Sequence, residues 1–270
     1  MSDKKYGVIF APTTNIGDDI QTLAAINFLK KKGILEYTYL NREELHNYDG
    51  DEIYVVMNGW FMHRPNNFPP SNKIIPIWIS FNISNAKMVN GQTIDYFKSQ
   101  PPIGCRDLAT VELLRKHDID AYFTGCLTLF FDEHTRKGGG KYLVDVNGEC
   151  GYVPTMNLNM QLFEDFKVIE HEAFKMWDTD VDKRLKLAAK LLDDYREASL
   201  VITSRLHCAL PCRAFGTSCV FMHKRYSNDN RFTGLKGVLN GGSDYHYNTN
   251  AKSGEMEKIL QVFNKYTIEN

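Results

Sequence analysis

Apolar positions along this chain come in short runs separated by helical repeats. Residues 6–12 are rich in β-formers, residues 13–17 are polar, and Ile20, Leu23, Ala24, Ile26, Phe28 and Leu29 then recur at helical spacing. Further strand candidates fall at residues 36–40, 53–58, 74–81, 103–105 and 121–124, with helical stretches at 92–98 and 107–117 between them. After a polar, glycine-rich stretch, DEHTRKGGGK, a second series begins, with strands at 142–146, 166–170, 200–203 and 218–222 and helices at 181–198 and 205–215. Met256, Ile259, Leu260 and Phe263 make residues 253–266 an amphipathic closing helix, placed to pack back on the N-terminal half.

Strands alternating with helices argue for parallel sheets covered on both faces. The expected class is therefore α/β, with two Rossmann-like domains at residues 1–135 and 136–270. In open sheets of this kind ligands bind outside the carboxyl ends of the strands, so the two halves are expected to share a cleft there.

Composition narrows the partners. The 270 residues include 32 basic and 33 acidic side chains, a formal net charge of -1, so no global field attracts nucleic acid or an anionic membrane and any anion site must be local. The six cysteines lie mostly in apolar runs and form no close C-x-x-C pair, so a structural metal is not expected and the thiols read as reduced core residues. No window approaches 18 consecutive apolar residues, and the apolar run near the N-terminus is shorter than a secretory one; the expected setting is cytosolic.

Three strand-to-helix junctions hold the polar groups of interest. In VITSRLHCALPCRAFGTSCVF, Arg205 and His207 fall in the first turn of a helix, where the macrodipole disfavours cations. An anionic ligand held by backbone N–H groups, the arginine fork and the imidazole resolves that conflict. The plainer reading has Ser204 as an N-cap, Arg205 in solvent and His207 as a satisfied side chain. In TTNIGDDIQTLAA, Gly17 permits a tight turn and Asp18 points from the helix start, either as a base or, with Gln21 three residues on, as a cap. In PPIGCRDLATVELL, Arg106 stands at the junction beside Asp107. Asn58 closes the strand at 53–58, and neither a G-x-G-x-x-G nor a P-loop motif occurs.

Taken together, NIGDDIQTLAA, NGWF, GCRDLATVELL with YFTGCLTLFF, and the R-L-H followed by an apolar helix resemble the polysaccharide pyruvyl transferase family, over about residues 7–222. The resemblance implies a fold like the two-domain GT-B glycosyltransferases, phosphoenolpyruvate as donor substrate, and a sugar or glycan hydroxyl pair, lipid-linked or not, as acceptor. No cofactor or metal is implied. Asp18, Arg106, Arg205, Leu206 and His207 match the positions that bind donor or catalyse, and Ser204, Asn15, Gly17 and Asn58 complete the set expected to bind substrate. Where closer relatives are expected to carry a histidine, this chain has Asn82. Two other readings stay open on the same scaffold: a GT-B glycosyltransferase using a nucleotide sugar, and a non-catalytic glycan-binding protein.

Overall fold

The computed structural model describes residues 4–135, 138–146, 164–223, 225 and 228–239. These divide into two units, one of residues 4–12 and 24–127 and the other of residues 13–23 and 128–239. The turn after the first strand thus clusters with the later half of the chain. The closing helix expected at residues 253–266 lies outside the described residues.

In the first unit, the elements in chain order are β1 (Lys5–Phe10), α1 (Ile16–Lys31, which starts in the other unit), β2 (Thr38–Asn41), β3 (Ile53–Val56), β4 (Gly59–Phe61), β5 (Ile74–Ile77), β6 (Phe81–Ile83), α2 (Gly91–Lys98), β7 (Ile103–Cys105), α3 (Leu108–Arg115) and β8 (Ala121–Phe123). One sheet has the order β2-β1-β3-β5 and a second β4-β6-β7-β8, and every ladder in both is parallel. The two sheets meet in a bend. The Met57 amide donates to the Ile77 carbonyl at 2.9 Å and the Gly59 amide to the Ser80 carbonyl at 3.2 Å, so pairing continues from β3/β5 into β4/β6. Ser80 takes a φ of 57° and Gly59 one of 122°, which turns both strands at the same level.

That bend splits the single strand expected at 74–81 into β5 and β6, and it makes a strand of Gly59–Phe61. Phe61, Phe68, Trp78, Phe81 and Phe97 pack edge-to-face and tilted around it, all with ring centroids within 6.3 Å of a neighbour. Gly104 in β7 allows a close approach: a Cβ there would lie 2.3 Å from the Trp78 carbonyl oxygen and 2.7 Å from Thr124 Cγ2.

The second unit contains β9 (Lys141–Val144), β10 (Phe166–Ile169), α4 (Val181–Glu197), β11 (Leu200–Thr203), α5 (Leu206–Phe215), β12 (Cys219–Phe221) and α6 (Lys236–Leu239). Its strands form a parallel sheet in the order β10-β9-β11-β12. Leu185, Ala188, Leu191, Leu192 and Tyr195 recur on one face of α4 at helical spacing and are buried, as the sequence pattern predicts. α5 is buried along nearly all its length and ends at Gly216, whose φ of 71° is the left-handed cap that glycine adopts without steric cost. Cys105, Cys126, Cys208, Cys212 and Cys219 form no disulfide and are buried, while Cys150 lies outside the described residues.

Candidate active site

The second unit gathers most of the expected site at the carboxyl ends of β9, β10 and β11. α1 begins at Ile16, and the Asn15 side chain accepts from the Gly17 amide at 2.9 Å, which satisfies one of the orphan donors of the first turn. Asn15 rather than Asp18 is therefore the capping group. The Asp18 carboxylate instead accepts from the Thr13 hydroxyl at 2.6 Å and from the Gln21 amide at 3.1 Å.

At the second junction the structure also departs from the expected cap. Arg205 occupies the N-cap position of α5 and makes no side-chain cap bond, while the Ser204 hydroxyl donates to the Asp145 carbonyl at 2.7 Å. The Arg205 amide donates to Thr203 Oγ1 at 2.9 Å. Arg205 is not simply in solvent: its Nε donates to Asp145 Oδ2, and Nη2 lies 3.4 Å from Glu172 Oε1. The unfavourable placement of a cation at a helix start is thus offset by carboxylates of this chain.

His207 follows within the first turn of α5, is buried, and departs from helical geometry with φ -83° and ψ 18°. The cause is four residues on. Pro211 lacks the N–H that would bond the His207 carbonyl, and its ring crowds that same carbonyl. Leu206 beside it is half-buried.

The two junctions touch. A Cβ added to Gly17 would lie 3.3 Å from His207 Cβ and 3.0 Å from Asn15 Oδ1, so the absence of a side chain at residue 17 is what lets the N-x-G-D turn and the R-L-H turn pack together. The segment after β10 joins them: the Ile16 amide donates to the His171 carbonyl at 2.8 Å, Asn15 bridges Glu172, and the His171 amide donates to Asp145 Oδ2 at 3.0 Å. His171 itself is fully buried, with Nε2 2.8 Å from the Tyr195 hydroxyl. Burial, with the Arg205 charge adding to it, pulls its imidazole down to about 3. At the end of β12, burial followed by the Arg231 guanidinium pulls His223 down to about 4; Arg225 and Arg205 act in the same direction, so Arg205 lies within electrostatic reach of this imidazole too.

Arg106 and Asn58 belong to the first unit, and both are buried. The Arg106 amide donates to the Phe81 carbonyl at 2.8 Å, and Nε is 3.8 Å from Asp107 Oδ2. Asp107 caps α3 through the Thr110 amide at 2.9 Å. Asn82 is bound into this network: it donates to Asp107 Oδ2 at 2.7 Å and accepts from Ser84 Oγ at 2.7 Å. Its amide nitrogen also donates to Thr110 Oγ1 at 3.2 Å, so both ends of the amide are bonded.

Sequence reasoning missed Asp145, His171 and Glu172. They sit just past the carboxyl ends of β9 and β10, and only the strand order, which puts β9 between β10 and β11, brings them to Arg205. Pro211, four residues after His207, is the signal that could have found the distorted turn, but the pattern reads as one unbroken helix at 205–215. Among the described residues no cluster of three or more His, Cys, Asp or Glu could hold a metal ion, and no helix is long and apolar enough to cross a membrane.

Comparison with known proteins adds a family. A family model described as Polysaccharide pyruvyl transferase matches residues 15–222. No curated protein matches. Among solved structures, a functionally uncharacterized protein from Klebsiella pneumoniae subsp. pneumoniae NTUH-K2044 is similar at 16% identity, with a TM-score of 0.47 over 85% of this chain and 87% of that one.

Proposed function

The chain belongs to the polysaccharide pyruvyl transferase family, and on that premise we propose that it transfers the pyruvyl group of phosphoenolpyruvate to a pair of sugar hydroxyls in a cell-surface or secreted glycan, as a ketal. The observation that carries the reading is the contact of Gly17 with His207, which joins the N-x-G-D and R-L-H turns in one unit.

Phosphoenolpyruvate brings a carboxylate and a phosphate, and Arg205 at the start of α5 offers a forked donor to one of them. Arg106 supplies the second fork, in a GT-B-like arrangement of two Rossmann-like units with a cleft between them. His207 protonates the methylene carbon, its cationic form favoured by the neighbouring anion. C2 then takes up an acceptor hydroxyl, the C2–O bond to phosphate breaks, and a second hydroxyl closes the ketal. The protons of the two hydroxyls return to the imidazole and to the departing phosphate. Asp18, fixed by Thr13 and Gln21, orients the acceptor hydroxyl and relays its proton to the departing phosphate. Ser204, Leu206, Asn15 and Asn58 shape the pocket. No metal takes part in these steps, and the reaction is placed in the cytosol.

The test is to incubate the protein with phosphoenolpyruvate and a panel of glycans, following phosphate release and the mass gain of a pyruvyl ketal. His207→Ala is expected to keep a native circular dichroism spectrum and to lose about 10²–10⁴-fold in turnover, the range of a general acid. Unchanged turnover removes the acid assignment. Thermal stabilisation by nucleotide sugars and not by phosphoenolpyruvate overturns the donor.

A further inference from the structure

Asp145 follows β9 with a φ of 50°, in the left-handed region that costs a side-chain-bearing residue strain. Every polar group of the residue helps to hold it there. Its amide donates to the Ile169 carbonyl at 3.0 Å, and its carbonyl accepts from the Ser204 hydroxyl at 2.7 Å. Oδ2 accepts both from the His171 amide at 3.0 Å and from Arg205 Nε. The residue is 3% exposed. A strained backbone persists only where the surroundings over-determine it, and here four bonds from two segments, residues 169–171 and 204–205, do so.

Electrostatics makes this placement costly for an anion site. A buried carboxylate beside Arg205 cancels part of the charge that an anionic donor would meet. Its benefit is geometric: with Nε held, the guanidinium plane is fixed before the ligand arrives, and the ordering entropy of a long side chain is not charged to binding. Two segments hold Asp145, the one after β10 and the R-L-H turn, and the first of them also holds the N-x-G-D turn, whose Ile16 amide donates to the His171 carbonyl.

We propose that Asp145 is the positioning residue of the donor site: it aims the Arg205 guanidinium at the anionic group of phosphoenolpyruvate. This rests on the reading of Arg205 as a donor-binding residue.

The sign of one effect separates positioning from charge. Asp145→Asn tolerates the left-handed backbone and removes the charge. If Asp145 only opposes the donor's charge, the variant binds phosphoenolpyruvate more tightly. If it aims Arg205, the weaker bond from Arg205 Nε to the amide oxygen that replaces Oδ2 frees the fork to turn, and the donor KM rises by about tenfold while the acceptor KM stays put. In an Arg205→Lys background, which has no planar fork to aim, the same substitution is expected to leave phosphoenolpyruvate affinity, read by titration calorimetry, unchanged or improved. A donor KM that is unchanged or lower in Asp145→Asn, or an equal loss in the Arg205→Lys background, overturns the proposal. Should Asp145→Asn fail to fold, Asp145→Gly takes its place, since glycine accepts this φ at no steric cost, and the same outcomes decide. Wild-type protein that binds no phosphoenolpyruvate removes the function itself, a result distinct from either variant outcome.

Discussion

Asp19 and Arg184 face each other as a fully buried two-pronged ion pair, Nε to Oδ1 and Nη2 to Oδ2, both at 2.9 Å. The pair ties the first turn of α1 to α4, one residue from Asp18. The guanidinium also packs on the Phe174 ring, 4.3 Å from its centroid. Burial pushes the Asp19 carboxyl up to about 7, against the pull of Arg184.

The two halves of this pair are expected to respond unequally to removal. Asp19→Ala leaves a buried cation that cannot give up its proton, at a cost of about 3–5 kcal/mol. Arg184→Met leaves a carboxyl that neutralises itself by holding its proton, so it costs less. Because the folded-state pKa of an acid is raised here, stability falls as pH rises from the unfolded value toward the folded one, and the Arg184→Met deficit widens above pH 7. Urea unfolding at pH 6 and pH 8.5 measures this; equal costs for the two variants would contradict it.

Gly17→Ala separates stability from activity. A methyl in the first turn of α1 favours the helix by up to about 1 kcal/mol. The same methyl would sit 3.3 Å from His207 Cβ, so the imidazole must shift by a few tenths of an ångström. The methyl also sits 3.0 Å from the capping Asn15 Oδ1, so the propensity gain is offset and the melting temperature is expected to move little, with turnover down about tenfold or more, as misplacement at a reacting centre gives. Full turnover would show that His207 is indifferent to this neighbour.

Pro211→Ala acts on His207 from the other side. It supplies the missing N–H and removes the ring that crowds the His207 carbonyl, so residue 207 is expected to relax toward φ and ψ of a regular helix. α5 gains stability and pyruvyl transfer slows. An unaltered kcat means that the distorted turn is not needed for the chemistry.

For His171 the folded pKa is depressed to about 3 from an ordinary 6.5. The unfolded chain takes up a proton below 6.5 and the folded chain does not, so this group's contribution is intact above that pH and lost as pH falls through the window toward 3. The Cε1 proton resonance of His171 is expected to stay flat between pH 7.5 and 5; a midpoint near 6.5 would mean that the ring is solvated.

Much of the scaffold was legible because period and punctuation agree with tertiary context. Ile103–Cys105 and Leu200–Thr203 are strands at the residues the pattern indicates. The break between β5 and β6 was not legible, since it hangs on a positive φ at Ser80, a residue with no strong turn signature. In the site, Arg205 and His207 were identifiable as cations set against a helix dipole. Asp145 and Glu172, the carboxylates that settle that conflict, were not, because each lies more than thirty residues away along the chain and reaches Arg205 only through strand order. Ser204 reads as a cap by residue type and Asp18 by its spacing to Gln21, and both side chains are engaged elsewhere.

The tight spot at Gly104 reaches beyond its own strand. With a carbonyl oxygen 2.3 Å from where any side chain would begin, not even alanine can be accommodated unless backbone moves, and Arg106 lies only two positions along. A random library over this segment is therefore expected to return glycine at residue 104 even when selected for solubility alone.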